Sequence, residues 1–278
     1  MTIYAKVIAD SENESGVRLS TLELSYPRFI HGELLTHRVF SRNAMSSRAI
    51  PVSKMIEQVR RDPVIPIHWG ANQPGMQADK EVENVIGAEQ QWRWAAQAAA
   101  TYAESMSALG LHKQIVNRIL EPFQWMRTIL TGTEFDNFFE LRIHPDAEPH
   151  IHKLAVEMKS AMDASTPIRR LSVMKHHSSW HLPYVSSFER LSYGVLTLCK
   201  TSAARCARVS YLTHDGATPS LDADLALYDR LAGGVPMHAS PLEHQAFSGR
   251  STDHSGNLTG WVQFRQIIAE GAKDAVRE

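Results

Sequence analysis

The thirteen residues from Thr36 to Arg48, THRVFSRNAMSSR, constrain this chain more than any other stretch. They carry three arginines, one histidine, one asparagine and four hydroxyl side chains. A run this rich in donors resists burial in an apolar core, because each buried charge or polar group needs a partner. Arginine presents a planar fork of donors that matches phosphate, and serine and asparagine add shorter, directional bonds. The stretch is therefore either a solvated polar loop or a surface that reads phosphates and carbonyls.

The flanking pattern places it. Residues 17–27, VRLSTLELSYP, alternate as a strand, with Asp10 to Gly16 as the turn-rich connection from an earlier strand. Pro27 ends the strand, and FIHGELLTHRVF reads as a helix start. Residues 63–80 form a loop. Trp92, Ala95, Ala96, Ala99, Tyr102, Ala103 and Met106 recur at helical steps within Glu81–Leu120, and Gly110 interrupts that helix. Further helices are expected in HKQIVNRILEPF, in FDNFFELRIH, and from an Asp146 cap through Ile151, Leu154, Ala155, Met158 and Met162. Segment 163–200 reads as strand and loop, and Thr201–Tyr211 and Ala223–Leu231 as helices. Residues 248–256 read as a flexible connection to a final helix, WVQFRQIIAEGAKDAV. The sum is an α+β chain, read as one domain over 1–278 with 248–278 as an added tail.

Composition narrows the function classes. A formal charge of -1 argues against wholesale nucleic-acid binding, although 29 Lys and Arg residues suffice for a local basic pocket. No apolar run approaches a membrane span, the N-terminus lacks a secretory layout, and two cysteines cannot form a disulfide framework. A soluble, cytoplasmic, enzyme-sized protein with no membrane and no nucleic-acid partner is expected. His176, His177 and His181 lack accompanying carboxylates at ligand spacing, so no metal site is expected. Trp92, Trp94 and Tyr102 suit core or a subunit interface.

The order of residues in the central stretch resembles the signature of the flavin-dependent thymidylate synthases, Arg-His-Arg, seven residues, then Ser. Here His37-Arg38 is followed by seven residues and Ser46, with Arg48 where that family has a phosphate-binding arginine. Four further blocks agree. Arg118–Pro122 resembles Arg-x-x-Leu-Pro, and Asn137–Arg142 with His144–Ala147 resembles the Asn-x-x-x-Leu-Arg helix and its His-Ala-Gln run. Ala207–Tyr211 and His238–His244 resemble the two blocks that usually open the family's chain. Here they come last, which implies a circular permutation, tolerable where termini lie close together.

The resemblance implies a mostly antiparallel central sheet flanked by helices, in a homotetramer with active sites between subunits. It implies reductive methylation of C5 of dUMP, with methylenetetrahydrofolate as carbon donor and FAD reduced by NADPH. A dUMP or dCMP hydroxymethylase and a non-catalytic flavin- or nucleotide-binding relative are the alternatives. By the same resemblance His37, Arg38, Asn137, Ser210, Ser240 and Glu243 line the FAD site, and His238 lies at the flavin or folate face. Ser46, Arg48, Arg118 and Arg142 hold the pyrimidine nucleotide, with Ser46 and Arg142 catalytic.

Several positions depart from the family's pattern. Thr36 replaces the first signature arginine and Glu33 a glutamine, both on the nucleotide side. Thr131 and Thr133 replace Asn and Arg near the flavin, and Glu121 and Glu148 replace Leu and Gln. Glu33 as a substrate-binding residue would suit dCMP, whose amino group a carboxylate can accept.

Overall fold

A computed structural model describes residues 1–173, 176–210, 219–250 and 252–270, with Ser210 described by its backbone alone. The alternating segment predicted as a strand is the centre of the fold. It forms β2 (Arg18–Pro27), which pairs antiparallel with β1 (Tyr4–Glu12) on one side and β4 (Trp125–Gly132) on the other. The edge beyond β4 is β3 (Ser41–Ala44), also antiparallel, and β5 (Ile168–Arg169) adds in parallel to β1. The order β3-β4-β2-β1-β5 makes a mostly antiparallel sheet. Strand β3 therefore lies inside the dense polar stretch.

One sheet face is apolar and buried under helices. Leu22, Leu24, Tyr26 and Leu130 pack with Ile151, Leu154, Ala155, Met158 and Met162. These last residues share one face of a helix because they recur at steps of three, one, three and four. Burial of each leucine contributes about 2 kcal/mol. Leu34 from α1 (His31–Thr36) joins this cluster.

Helix α2 (Val52–Arg61) packs on α3 (Val85–Ala108) through Met55, Val59, Ala96, Ala100 and Ala103. Gly110, at φ 83°, ends that region as expected. The next expected helix is broken: α4 (Lys113–Val116) passes into a 3-10 turn, Asn117–Phe123, that holds Pro122. α5 (Asp136–Arg142) follows β4 and contributes Phe138 to the core. α6 (Pro149–Asp163) carries the apolar stripe, but its cap is Glu148, whose carboxylate accepts from the His150 and Ile151 N–H groups, not Asp146. Pro149 at the first helical position sets that boundary.

The second half corrects the expectation of strand and loop over 163–200. Beyond β6 (Trp180–His181) the chain forms α7 (Ser187–Ser192) and α8 (Val195–Ala207), then α9 (Leu221–Ala232). Trp180, Leu198, Cys199, Ala203, Leu227 and Tyr228 pack together there. β7 (Ala246–Ser248) bridges β6 and β10 (Trp261–Gln263) in a second antiparallel sheet. Segment 248–256 is no plain connection, because β8 (His254–Ser255) and β9 (Leu258–Thr259) form a hairpin within the tail. The final helix, expected from Trp261, begins only at Phe264 as α10 (Phe264–Ala269), because Trp261–Gln263 pairs with β7 as β10; residues 271–278 and Tyr211 lie outside the described residues. Trp94 and Tyr102 are exposed, which removes them from the core, whereas Trp92 packs edge-on against Phe123. No helix among the described residues is long and apolar enough to cross a membrane.

Candidate functional site

The polar stretch turns sharply at its start. Arg42 reaches back and donates from Nη1 to the carbonyls of Leu35 (2.8 Å), His37 (3.3 Å) and Leu34 (3.4 Å), closing the open end of α1. Phe40 is fully buried between Phe135 and Phe138. Gly132 faces it, where an added Cβ would lie 2.8 Å from the Phe40 ring. With both ends pinned, His37, Arg38 and Val39 project from a short arch. Thr36 also stays exposed, and its hydroxyl donates back to the Glu33 carbonyl at 2.7 Å.

Arg38 and Asn137 are exposed on one cavity of about 770 Å³, with Thr36, His37 and Glu134. Its far wall is the β8–β9 hairpin, through His254, Gly256, Asn257 and Thr259. A neighbouring hollow of about 510 Å³ shares His37, Val39, Glu134 and Asn137 and runs to Phe135, Phe139 and Met162. Arg38 makes no ion pair among the described residues. An unpaired guanidinium beside amide and imidazole groups, continuous with an aromatic-lined hollow, fits a dinucleotide carrying both a diphosphate and a flat ring system.

His37 also touches Arg142. Arg142 Nε donates to His37 Nε2 at 2.9 Å, and its Nη1 lies 3.5 Å from Glu33 Oε2. Burial, then Arg142 and Arg42, hold His37 below the usual imidazole range. Burial and the nearby Glu148 raise Glu33 above the usual carboxylate range, against the pull of Arg142. Burial would raise Glu148 as well, but bonds from His150 and the α6 backbone hold it low.

Ser46 and Arg48 open on a different cavity of about 510 Å³, which they share with Lys113, Gln114, His238 and Ser240. Asn43 ties the motif to the late blocks. Its Nδ2 donates to the Cys206 carbonyl at 2.9 Å, and its Oδ1 accepts from Ser240 Oγ at 3.1 Å. Asn43 thus meets Cys206, just before the block at 207–211, and Ser240 within the block at 238–244, across 163 and 197 residues. Two cations and two hydroxyls around one hollow suit a phosphate dianion.

Other predicted residues are placed elsewhere. Arg118 pairs with Glu121 at 2.9 Å and lines neither cavity. Glu121 also takes Arg28 at 2.8 Å and Ser47 at 3.3 Å, so the glutamate in place of leucine is a local hub. Glu243 is paired with Arg265. The Ser210 side chain lies outside the described residues. Arg142 lines none of the three cavities described above.

Thr131 belongs to a buried polar chain. Arg170 Nε donates to Ser11 Oγ (3.1 Å), which meets His181 Nδ1 (2.9 Å). His181 Nε2 meets Thr21 Oγ1 (2.7 Å), Thr21 meets Thr131 (2.7 Å), and Thr131 meets His244 Nδ1 (2.8 Å). Because Arg170 can only donate, the Ser11 hydroxyl keeps its own proton to donate onward, and a chain of bonds running in one direction to His244 satisfies every hydroxyl in it. Burial depresses His181 well below its usual range and His244 to about 3, so both imidazoles are neutral. Thr133 Oγ1 accepts the Thr259 N–H at 3.2 Å and so docks the hairpin.

Lys113, Gln114, His254 and Asn257 were not foreseen as site residues. Gly256-Asn257 between Ser255 and Leu258 carried a hairpin signal. Lys113 carried none, because only the fold brings α4 beside Arg48.

A family model described as thymidylate synthase complementing protein matches residues 19–168. Among solved structures, the chain is similar to a UMP/dUMP methylase, PolB, from Streptomyces cacaoi, bound with 5-Br dUMP. That likeness has 15% identity and a TM-score of 0.49, covering 58% of this chain and 90% of the other. No curated protein matches.

Proposed function

Because the chain belongs to the thymidylate synthase complementing protein family, we propose that it transfers a one-carbon unit from methylenetetrahydrofolate to C5 of dUMP, forming dTMP with FAD and NADPH. The observation that carries this reading is the Arg142 guanidinium, oriented by His37 and Glu33 beside the flavin-side arch. Bound FAD, reduced by NADPH, supplies the hydride that converts the transferred carbon to a methyl group. Arg142 provides fixed donors for the negative charge that gathers on the pyrimidine as C5 becomes nucleophilic. Arg48, Lys113 and Ser46 hold the phosphate, and His37, Arg38 and Asn137 hold the dinucleotide. His238 and Ser240, from the late block at 238–244, line the same cavity as Ser46 and Arg48.

Arg142 and the Ser46 cavity complete one site when copies of the chain assemble, which favours a homotetramer with shared sites. The contacts of Asn43 with Cys206 and Ser240 support a permuted order of the family's blocks and one domain built from both halves. A second reading, dCMP as substrate, is favoured by Glu33, whose carboxylate lies against the guanidinium that would face the base. Incubation with dUMP or dCMP, followed by mass analysis of the nucleotide, tests these readings. A methyl product supports the synthase, a hydroxymethyl product supports a hydroxymethylase, and unchanged nucleotide with bound FAD rejects catalysis.

A further inference from the structure

The tail hairpin is fixed in place, yet two of its polar side chains are left facing a cavity. Gly256 has φ 60° at the first of two turn residues, as a type II′ hairpin requires. Leu258 is buried with Leu19, Ala246 and Trp261. Thr259 donates through its N–H to Thr133 Oγ1 (3.2 Å) and through its hydroxyl to Glu134 Oε1 (3.0 Å). Ser255 Oγ accepts the Gln263 N–H at 2.9 Å, and the Asp253 carbonyl accepts the Gly260 N–H at 2.8 Å. Seating of this kind removes most of the ordering cost that a loop otherwise meets on binding a ligand. His254 and Asn257 remain exposed and line the cavity opposite Arg38. Glu134, the one carboxylate among the lining residues, accepts the Thr259 hydroxyl, and the hairpin itself brings no carboxylate to the cavity, only the His254 imidazole and the Asn257 amide.

We propose that the β8–β9 hairpin is the outer wall of the cofactor cavity, and that Asn257 donates hydrogen bonds to the cofactor phosphates paired with Arg38. The proposal rests on the reading that His37, Arg38 and Asn137 hold a flavin dinucleotide. It gives the tail, which lies beyond the residues matched by the family model, a direct part in cofactor affinity. Thr133 and Glu134 act as positioning residues that seat the wall.

The test is titration of FAD into the full chain, followed by quenching of flavin fluorescence. Asn257→Asp keeps the side-chain shape and sets a negative charge against the phosphates. It is expected to weaken FAD binding roughly tenfold or more, and more than Asn257→Ala does. The thermal midpoint without FAD is expected to match that of the unaltered chain, because neither variant touches the hairpin's anchors. Arg38→Ala reports on the underlying site in the same assay. If Arg38→Ala loses FAD while Asn257→Asp binds like the unaltered chain, the hairpin proposal is overturned and the cofactor site stands. If the unaltered chain does not bind FAD, or Arg38→Ala binds it equally well, the cofactor reading fails and the proposal with it.

Discussion

Arg142 Nε donates to His37 Nε2 across 2.9 Å, so the imidazole must present a lone pair there and carry its proton on Nδ1. Burial and two nearby guanidiniums, Arg142 then Arg42, favour that neutral state by lowering the His37 pKa. Protonation would face a donor with a donor and release Arg142. Turnover is therefore expected to be level above pH 6.5 and to fall only as the pH drops through the depressed pKa. His37→Phe, which keeps the edge contact with Phe138, should lower turnover on the order of tenfold and remove that acid limb. A pH–rate profile of the variant that keeps the same acid limb would assign the limb to another group.

Glu33 sets substrate preference if its carboxylate accepts a base amino group. Glu33→Gln supplies a neutral amide in its place and is expected to shift the dUMP-to-dCMP preference toward dUMP by roughly tenfold. Competition between the two nucleotides reads this directly. An unchanged ratio would leave Glu33 with only its ion pair to Arg142.

The cavity of Ser46, Arg48 and Lys113 should bind through charge. Arg48→Ala and Lys113→Ala are expected to weaken nucleotide affinity about tenfold each, with a larger loss for the pair. Ser46→Ala and Arg142→Ala should reduce turnover by about a hundredfold. Nucleotide binding by calorimetry separates affinity from turnover, and full activity in both Ser46→Ala and Arg142→Ala contradicts the assignment.

The buried imidazoles predict an acid-sensitive fold. His181 and His244 stay neutral when folded, whereas their unfolded forms take up protons near pH 6.5. Their contribution is complete above about 6.5 and is lost as pH falls toward the depressed folded values, which for His244 is about 3. Two such groups give a slope approaching about 2.7 kcal/mol per pH unit. His244→Asn should lessen that slope by about one proton in urea unfolding between pH 7 and 5. The same slope in the variant would mean that other groups dominate acid unfolding.

The polar stretch, β2, α3 and α9 were legible because each carries its own local signal. β3 was not, since four half-polar residues become a strand only by pairing with β4 some 87 residues away (Ser41 with Thr131 closes a separation of about 90). α8 was read late because Val195, Leu198, Cys199, Ala203, Ala204 and Cys206 bury several faces and blur the helical period. The α6 cap was misplaced by two residues, where Pro149 at the first helical position was the stronger cue. In the site, residue types were legible from the motif, but their division between cavities was not. Arg118 turned to Glu121, and Lys113 arrived from α4, because side-chain partners depend on tertiary neighbours.

The most direct test of the account is the mass of the nucleotide after incubation with dUMP, methylenetetrahydrofolate, FAD and NADPH. The account predicts dUMP converted to a product carrying a methyl group at C5, with conversion lost when FAD is omitted. Unchanged dUMP and unchanged dCMP, in protein shown to bind FAD, would contradict it.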